Sequence, residues 1–480
     1  MKNNRRDFLK KSGLAGLGIA GAFSSPGYTG VEAPFRQTNQ QRFNMSGYAA
    51  PKLDVVRVGI IGLGNRGSGT VARLASIEGV EIKALCDLEP DRVKKAAESI
   101  RHLGQRPEAY SGGEETWKKV CERNDIDLIA VVTPWHLHTP MCVHAMEHGK
   151  HVFTELPAAT TINECWQLVE TSERTRMHCI QGSMSCLGYG SKGWSIPTIA
   201  LNMIRKGFFG DIIHAEGAYI HDIMTNIFSD KYHRKWRLKE NIGKHGNLYP
   251  QHGLVPILQM MDINCGDRLD YLASVSSNDF SMAETAERLA EEDDIWKPFE
   301  GSDFRGNINT SIIRTRKGRT IMLQHDVTTP RPGMRFQLIS GTKATYEEGH
   351  PPASRIATGH EGWLPQEEFD TLTDRYIPEL MKKYNEQRER ASAVNSWKES
   401  YFRVMPLDWR IIDCLRNGLP MDMNVYEAAV SSSIIPLSQW SVANGAASVK
   451  IPDFTCGSWE TNERTMDIEL GRGGGTTRLV

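Results

Sequence analysis

The sequence lacks organised cysteines, a surplus of charge of one sign and, beyond its N-terminus, any long apolar run. Its nine cysteines are scattered, with no CxxC pair and no Cys/His cluster at metal spacing, so we predict neither a disulfide framework nor a metal site. Lys and Arg total 57 and Asp and Glu total 58, so the protein has no excess positive charge that would attract nucleic acid or an anionic surface. We predict a globular protein that binds no nucleic acid and is not stably inserted in a membrane.

The N-terminus carries a different signal, "NNRRDFLKK", with a twin arginine at Arg5 and Arg6. A Gly- and Ala-rich apolar run, residues 13–23, follows it and is too short to span a bilayer. Arg-Arg-x-Phe-Leu-Lys resembles the twin-arginine export signal; the alternative is a chance basic and apolar start. We predict a signal peptide over residues 1–30, recognition by the twin-arginine export machinery, a periplasmic location, and a linker over residues 31–52.

Strands alternate with helices from residue 55 onward. Buried runs such as "VVRVGIIGLG" (55–64) and "IDLIAVVTP" (126–134) are separated by amphipathic segments such as "EPDRVKKAAESIR" (89–101). This alternation is typical of a parallel, doubly wound α/β sheet. We predict a Rossmann domain over residues 53–185.

The pattern changes after residue 186, where several candidate strands alternate with period 2. Lys317-Gly318 separates two such runs and predicts a hairpin. We predict an α+β domain over residues 186–460 with a large open, mostly antiparallel sheet. Within it we expect a helix near residues 425–445 to pack back on the Rossmann domain, and after it, over residues 461–480, a flexible tail.

A dinucleotide-binding turn is predicted where the first strand ends. Gly62, Gly64 and Gly67 form G-x-G-x-x-G between a strand and a helix, where backbone N–H groups can approach a pyrophosphate. Asp87 ends the second strand, where an acid pairs with the ribose diol of NAD. A Gly-rich turn without a ligand is the alternative. The pattern favours NAD as the cofactor.

The stretch "VVTPWHLHTPMCVHAMEHGKHVFTELP" (131–157) resembles the Gfo/Idh/MocA oxidoreductases, in which a Rossmann domain precedes an α+β domain with an open sheet. Their usual motif is Glu-Lys-Pro, whose Lys helps to oxidise an alcohol. Here the motif reads Glu155-Leu156-Pro157. Because Leu156 stands where those enzymes have the catalytic Lys, the departure from the motif argues against an ordinary dehydrogenase.

A narrower resemblance is to glycoside hydrolase family 109, the NAD-dependent α-N-acetylgalactosaminidases. It is carried by "PWHLH", "ALNMIRKGFFGDIIH", "KWR", "NLYPQHGLVPILQMMDINCGDRL" and "IPDFTCGSW". The resemblance implies NAD contacts at Asn65, Arg66, Asp87, Trp135, His136, Leu137, His138, Glu155 and Leu156. It implies substrate contacts at Arg237, Tyr249 and His252, with His252 essential for the chemistry. A structural role remains the alternative for each of these residues.

Two tyrosines of the family are missing from their positions. Cys186 stands at one and Gly333 at the other, and Tyr189 is the candidate replacement for the first. Both losses fall in the predicted sugar pocket, so the substrate can differ from N-acetylgalactosamine. We expect His252 and a tyrosine, Tyr249 or Tyr189, to share the proton transfers.

The resemblance implies a redox-neutral reaction: oxidation of sugar C3, elimination of the glycosidic oxygen, addition of water and reduction back. Two other functions stay open, a sugar dehydrogenase or 3-keto-sugar enzyme with net redox, and a non-catalytic sugar-binding protein. A redox-neutral cycle also suits an exported protein, because an enzyme that regenerates its bound NAD needs no fresh cofactor outside the cytoplasm. The superfamily further leads us to expect a homo-oligomer that forms through the open sheet.

Overall fold

The computed structural model describes residues 35–182, 186–187, 196–349, 354–394 and 404–480, and its N-terminal part contains a parallel sheet of six strands. The strands are β1 (Val56–Ile61), β2 (Val80–Cys86), β3 (Glu108–Tyr110), β4 (Leu128–Val131), β5 (His151–Thr154) and β6 (Cys179–Gln181). Their order is β3-β2-β1-β4-β5-β6, and every pairing is parallel. This order is that of the Rossmann fold, and the predicted fold class is confirmed. The export signal predicted over residues 1–30 lies outside the described residues.

Five helices connect these strands. They are α1 (Gly67–Ala75), α2 (Pro90–Ser99), α3 (Thr116–Cys121), α4 (His138–Glu147) and α5 (Ile162–Thr175). Thr161 and Glu164 form a reciprocal capping box at the start of α5, which satisfies backbone N–H groups that a helix start leaves free. Because helices cover the sheet, β4 is buried at all four positions and reads as a continuous apolar run.

A second sheet of eight strands follows. Its strands are β7 (Ile212–Ile220), β8 (Leu269–Ser276), β9 (Ile308–Thr315), β10 (Thr320–Asp326), β11 (Gln337–Gly341), β12 (Thr345–Glu348), β13 (Ser354–Ala357) and β14 (Val449–Lys450). Their order is β13-β12-β11-β7-β10-β9-β8-β14. All pairs are antiparallel except β7 with β10. The predicted hairpin joins β9 to β10, with Gly318 at φ +89°, a conformation that favours glycine.

The helices of this half are α6 (Ile196–Arg205), α7 (Met224–Ile227), α8 (Trp236–Lys239), α9 (Gln251–Met260), α10 (Met282–Glu292), α11 (Gln366–Asp374), α12 (Glu379–Val394), α13 (Pro406–Asn417) and α14 (Val425–Ala443). Helices α11 and α12 are separated by a short break. Pro378 lies directly before α12, and a proline disfavours helical backbone in the residue before it. Within the described ranges, no helix combines the length and apolarity that a bilayer crossing needs.

Helix α14 contacts both sheets. Gln181 on β6 donates to Ser431 (3.2 Å), and Tyr426 donates to Glu173 on α5 (2.9 Å). Toward its other end, the Ser274 N–H on β8 donates to Ser441 (2.9 Å). Small hydroxyl side chains let an apolar helix lie close to both sheets while these polar groups stay paired.

The flexible tail predicted over residues 461–480 is wrong. Met466, Ile468 and Thr477 are buried. The N–H groups of Gly475, Thr476 and Thr477 all donate to the carboxylate of Asp413 on α13. A buried carboxylate must be satisfied by hydrogen bonds, so this Gly-rich segment is held in place by a residue about sixty positions earlier.

Candidate functional site

The Gly-rich turn has the shape that a dinucleotide loop requires. Gly62 adopts φ +91°, and a Cβ at this position would lie 2.5 Å from the carbonyl oxygen of Val132. A Cβ on Gly67 would lie 1.8 Å from the carbonyl oxygen of Gly62. These two positions therefore admit only glycine in this geometry. A Cβ on Gly64 would meet only the Arg92 guanidinium, at an ordinary contact distance of 3.6 Å, and Asn65 and Arg66 are exposed just before α1, where the backbone N–H groups of a helix start favour a phosphate.

Asp87 lies beside this turn. Its Oδ2 accepts the Leu63 N–H (2.6 Å) and its Oδ1 accepts the Glu89 N–H (3.0 Å), while Arg92 lies 3.6 Å away. A carboxylate offers about four lone-pair sites, so it can still accept from a ribose hydroxyl. The donor set and the close-packed glycines fit NAD: the turn would hold the pyrophosphate and Asp87 the adenosine ribose.

The loops that follow β4 and β5 are joined by His138. Its Nδ1 lies 2.7 Å from the carbonyl oxygen of Pro157, and its Nε2 lies 2.7 Å from that of Thr133. Both ring nitrogens thus contact backbone, and burial lowers the pKa of the ring. His138 holds the two cofactor-side loops together, so its contribution to NAD binding is through their positions.

The other predicted residues of these loops differ in how far they are exposed to solvent. Trp135, Glu155 and Leu156 are buried, and Trp135 opens a 3₁₀ turn that ends at Leu137. His136 is exposed, with its Nδ1 3.7 Å from a carboxylate oxygen of Glu240. The carboxyl ends of parallel strands are where Rossmann ligands bind, and all four residues lie there.

The sugar side is built by the turn "NLYPQH" and the start of α9. The Asn247 Oδ1 accepts the Tyr249 N–H (3.1 Å), and Pro250 precedes the helix. Tyr249 then stacks on Trp135, with ring centroids 5.4 Å apart and planes 18° apart. The turn therefore brings the predicted sugar-binding tyrosine onto the cofactor-side loop.

Arg237 completes this group. Its guanidinium lies over three rings: Trp135 at 5.2 Å, Tyr249 at 5.1 Å and Tyr232 at 5.4 Å from the ring centroids. Such cation–π contacts fix a planar cation without using up its N–H donors. Those donors can bind the hydroxyl or acyl oxygens of a sugar.

His252 is buried beside Tyr249, with ring centroids 4.9 Å apart. Burial lowers its pKa well below the usual value, and the charges of Arg335, Arg66 and Arg237 lower it further. Among the described residues its Nδ1 has no hydrogen-bond partner. A neutral imidazole with an unpaired nitrogen can act as a base.

The positions of the two missing tyrosines differ from each other. Cys186 is fully buried, its N–H donates to Gln259 (2.7 Å) and its carbonyl oxygen accepts from Thr198 (2.5 Å). Burial raises the pKa of its thiol, and the S–H donates to the Pro256 carbonyl oxygen in α9 (3.5 Å), so the thiol is engaged within the protein. Gly333 lies between β10 and β11 and supplies no side chain. Tyr189, the candidate replacement, lies outside the described residues.

The structure brings two further residues to the site that the sequence reading missed. Tyr219, near the end of β7, stacks on His252 with centroids 4.4 Å apart and planes 14° apart. His221, just past the strand, has its Nδ1 2.9 Å from the Tyr219 hydroxyl oxygen. Period-2 spacing placed both on one face, but nothing in the sequence paired that face with α9.

One group of metal-ligand type lies elsewhere. Potential ligand atoms of Glu122, His144 and His148 fall within 4.8 Å of one another on the surface of the Rossmann half. It is partly exposed and away from Arg237 and His252. The absence of a resident metal stays a prediction.

Comparison with known proteins agrees with this geometry. Residues 56–183 match the oxidoreductase family with an NAD-binding Rossmann fold, and residues 197–461 match the C-terminal domain of glycosyl hydrolase 109. The fold and the site thus define an NAD-dependent enzyme built on the Gfo/Idh/MocA architecture. The chain belongs to the glycosyl hydrolase 109 family and is a glycoside hydrolase that uses NAD.

Two relatives and one solved structure show the extent of the likeness. An alpha-N-acetylgalactosaminidase of Bacteroides fragilis is 41% identical over 88% of this chain and 97% of its own. A glycosyl hydrolase family 109 protein of Shewanella pealeana is 39% identical over 96% and 98%. A levoglucosan dehydrogenase in complex with NADH is 16% identical, with a TM-score of 0.59 over 83% of this chain and 99% of that one. The last likeness concerns the fold alone.

Proposed function

We propose that the substrate is a hexoside, with an α-linked N-acetylgalactosaminide as the first candidate, and that hydrolysis is redox-neutral. Arg237, held over the stacked rings of Trp135 and Tyr249, binds the sugar, and His252 with a tyrosine moves the protons. When bound, NAD supplies a reversible hydride acceptor. The main support is that Arg237, Tyr249 and His252 group against Trp135, close enough to the cofactor turn for the charge of Arg66 to lower the pKa of both Tyr249 and His252.

A sugar dehydrogenase is the second candidate, and Leu156 disfavours it. Leu156 is 2% exposed and lies in the same apolar cluster as Trp135 and Tyr249. An aliphatic side chain there cannot carry a proton, whereas the Lys of the related dehydrogenases can. The proton transfers therefore fall to His252 and the tyrosines, as the glycosidase hypothesis requires.

The test combines a nucleotide assay with a glycoside panel. We expect purified protein to release NAD on denaturation and to cleave an aryl α-N-acetylgalactosaminide without added cofactor. Absorbance at 340 nm should show no NADH accumulating in proportion to product. Stoichiometric NADH would instead establish the dehydrogenase. Sugar binding without cleavage, and without exchange of the C2 proton in deuterated water, would establish the non-catalytic alternative.

We further propose export by the twin-arginine pathway to the periplasm. The support is the sequence "NNRRDFLKK" and the chemistry: that pathway carries folded proteins, and a redox-neutral enzyme regenerates the NAD it carries. We expect the mature protein isolated from the periplasm to keep NAD through dialysis, and Arg5→Lys with Arg6→Lys to retain the precursor in the cytoplasm. A mature protein that is empty and needs added NAD at high concentration would contradict this proposal.

We also propose that the chain forms a homo-oligomer through the open face of its second sheet. Ile312 and Val275 are 48% and 61% exposed there, and Ile312 pairs with Ala273 on the neighbouring strand. Exposed apolar side chains on neighbouring strands are a typical interface feature. We expect Ile312→Glu to lower the mass measured by light scattering to that of a smaller species. Exposed Ile295→Glu, outside the sheet, is the matched control and should leave the mass unchanged.

A further inference from the structure

Tyr219 and His252 are brought together by a contact between two glycines. A Cβ on Gly253 would lie 2.5 Å from the Ala218 backbone nitrogen, and a Cβ on Gly217 would lie 2.6 Å from the carbonyl oxygen of Gly253. Helix α9 therefore rests directly on the backbone of β7. This close approach allows the rings of Tyr219 and His252 to stack at 4.4 Å.

Tyr219 reaches solvent through His221. Tyr219 is 7% exposed, whereas His221 is exposed at the strand end. The 2.9 Å contact between the Tyr219 hydroxyl oxygen and the His221 Nδ1 joins the two. A buried proton carrier beside His252 is thus one hydrogen bond from a side chain that exchanges protons with water.

The charges around the pair belong to the site already described. Burial raises the pKa of Tyr219, and Arg237, Arg335 and Arg66 oppose that rise. Burial lowers the pKa of His221, the charges of Arg335, Arg237 and Lys231 lower it further and that of Asp222 raises it, so the ring is neutral at neutral pH. Arg66 belongs to the cofactor turn and Arg237 to the sugar side, so charges from both parts of the site lower the pKa of Tyr219.

We propose that Tyr219 and His221 form a proton relay for the sugar, in place of the tyrosines lost at positions 186 and 333. When the sugar loses a proton, the Tyr219 O–H passes its own proton to the Nδ1 of neutral His221 while the Tyr219 oxygen takes the proton from the sugar. The His221 imidazolium formed in this step releases a proton from Nε2 to water. The reverse sequence returns a proton to a sugar oxygen. This inference rests on the proposed function.

The first test uses turnover of the holoenzyme. Tyr219→Phe keeps the ring on His252 and removes only the hydroxyl, so we expect kcat to fall about 10²-fold with NAD content unchanged. His221→Ala should lower kcat less, and added imidazole should restore most of it because the position is exposed. His214→Ala, on the same strand, and Tyr384→Phe, which bonds the Val404 carbonyl oxygen, are the controls. Near-wild-type kcat in Tyr219→Phe, or a loss in His221→Ala that imidazole does not restore, overturns the relay.

A second measurement does not depend on turnover. The His221 ring should titrate at a different pH in Tyr219→Phe than in the wild type, followed by NMR, because the hydroxyl contact contributes to its pKa. An unchanged titration overturns the pairing. Should the wild type cleave no glycoside while the His221 titration shifts, the proposed function fails and the pairing stands.

Discussion

His252→Asn is expected to lower kcat by about 10²- to 10⁴-fold, the range for loss of a general acid or base, while the bound NAD stays in place. His252 lies on the sugar side, against Tyr249 and Tyr219, and the cofactor turn lies at the end of β1. Asn retains a polar side chain in the buried position but cannot accept and donate a proton near neutral pH. Measurement of kcat alongside released nucleotide separates the loss of chemistry from the loss of cofactor.

The control for His252→Asn is His151→Asn. His151 is also a buried histidine, but it lies on β5 and its Nδ1 accepts the His178 N–H (3.0 Å). It should affect thermal stability more than kcat. A His252→Asn protein that keeps more than about a tenth of the wild-type kcat would remove His252 from the proton transfers.

The pH profile of the wild type follows from the same environment. Burial and three arginines lower the pKa of His252 below its usual value. A base works in its unprotonated form, so activity is present above the folded pKa and is lost as pH falls through it. We therefore expect the acid limb of kcat/KM, which reports the free enzyme, to lie below the usual histidine pKa of about 6.5.

Local patterns predicted most of the fold. The turn at Gly62 and Gly67 and the hairpin at Gly318 are each specified by neighbouring residues, and both were predicted correctly. Strand β3 has no recognisable pattern in the sequence, because it spans three residues, Glu108–Tyr110, with no buried position. The C-terminal segment was misread because its composition predicts flexibility, while the group that fixes it, Asp413, is remote in sequence.

The site divides in the same way. Arg237, Tyr249 and His252 were predicted from the resemblance to the family, and the structure brings the three together; their roles stay predictions. Tyr219 could not be predicted in this way, because its role depends on the contact of Gly217 with Gly253, a non-local contact that no pattern along the chain encodes. Replacement of the lost tyrosines is thus a property of the packed sheet and helix.

Gly67→Ala is expected to abolish NAD binding and with it all turnover. The added Cβ would lie 1.8 Å from the carbonyl oxygen of Gly62, far inside contact distance, so the turn and the start of α1 must separate. Overpacking of this kind costs about 1–3 kcal/mol of stability. It also moves the backbone N–H groups that would face the pyrophosphate. Released nucleotide per chain and the thermal unfolding temperature measure the two effects.

Gly69→Ala provides the matched comparison, since it makes the same chemical change two residues later in α1. Its Cβ would lie 3.3 Å from a guanidinium nitrogen of Arg73, a tight contact with one side-chain atom and not with the backbone. Asp408 (2.6 Å) and Thr70 (3.0 Å) hold the other two guanidinium nitrogens, which offsets the preference of about 1 kcal/mol for Ala over Gly in a helix interior. Gly69→Ala should therefore keep NAD and full activity, and its unfolding temperature should change less than that of Gly67→Ala. A Gly67→Ala protein that still carries one NAD per chain would show that the turn does not hold the cofactor.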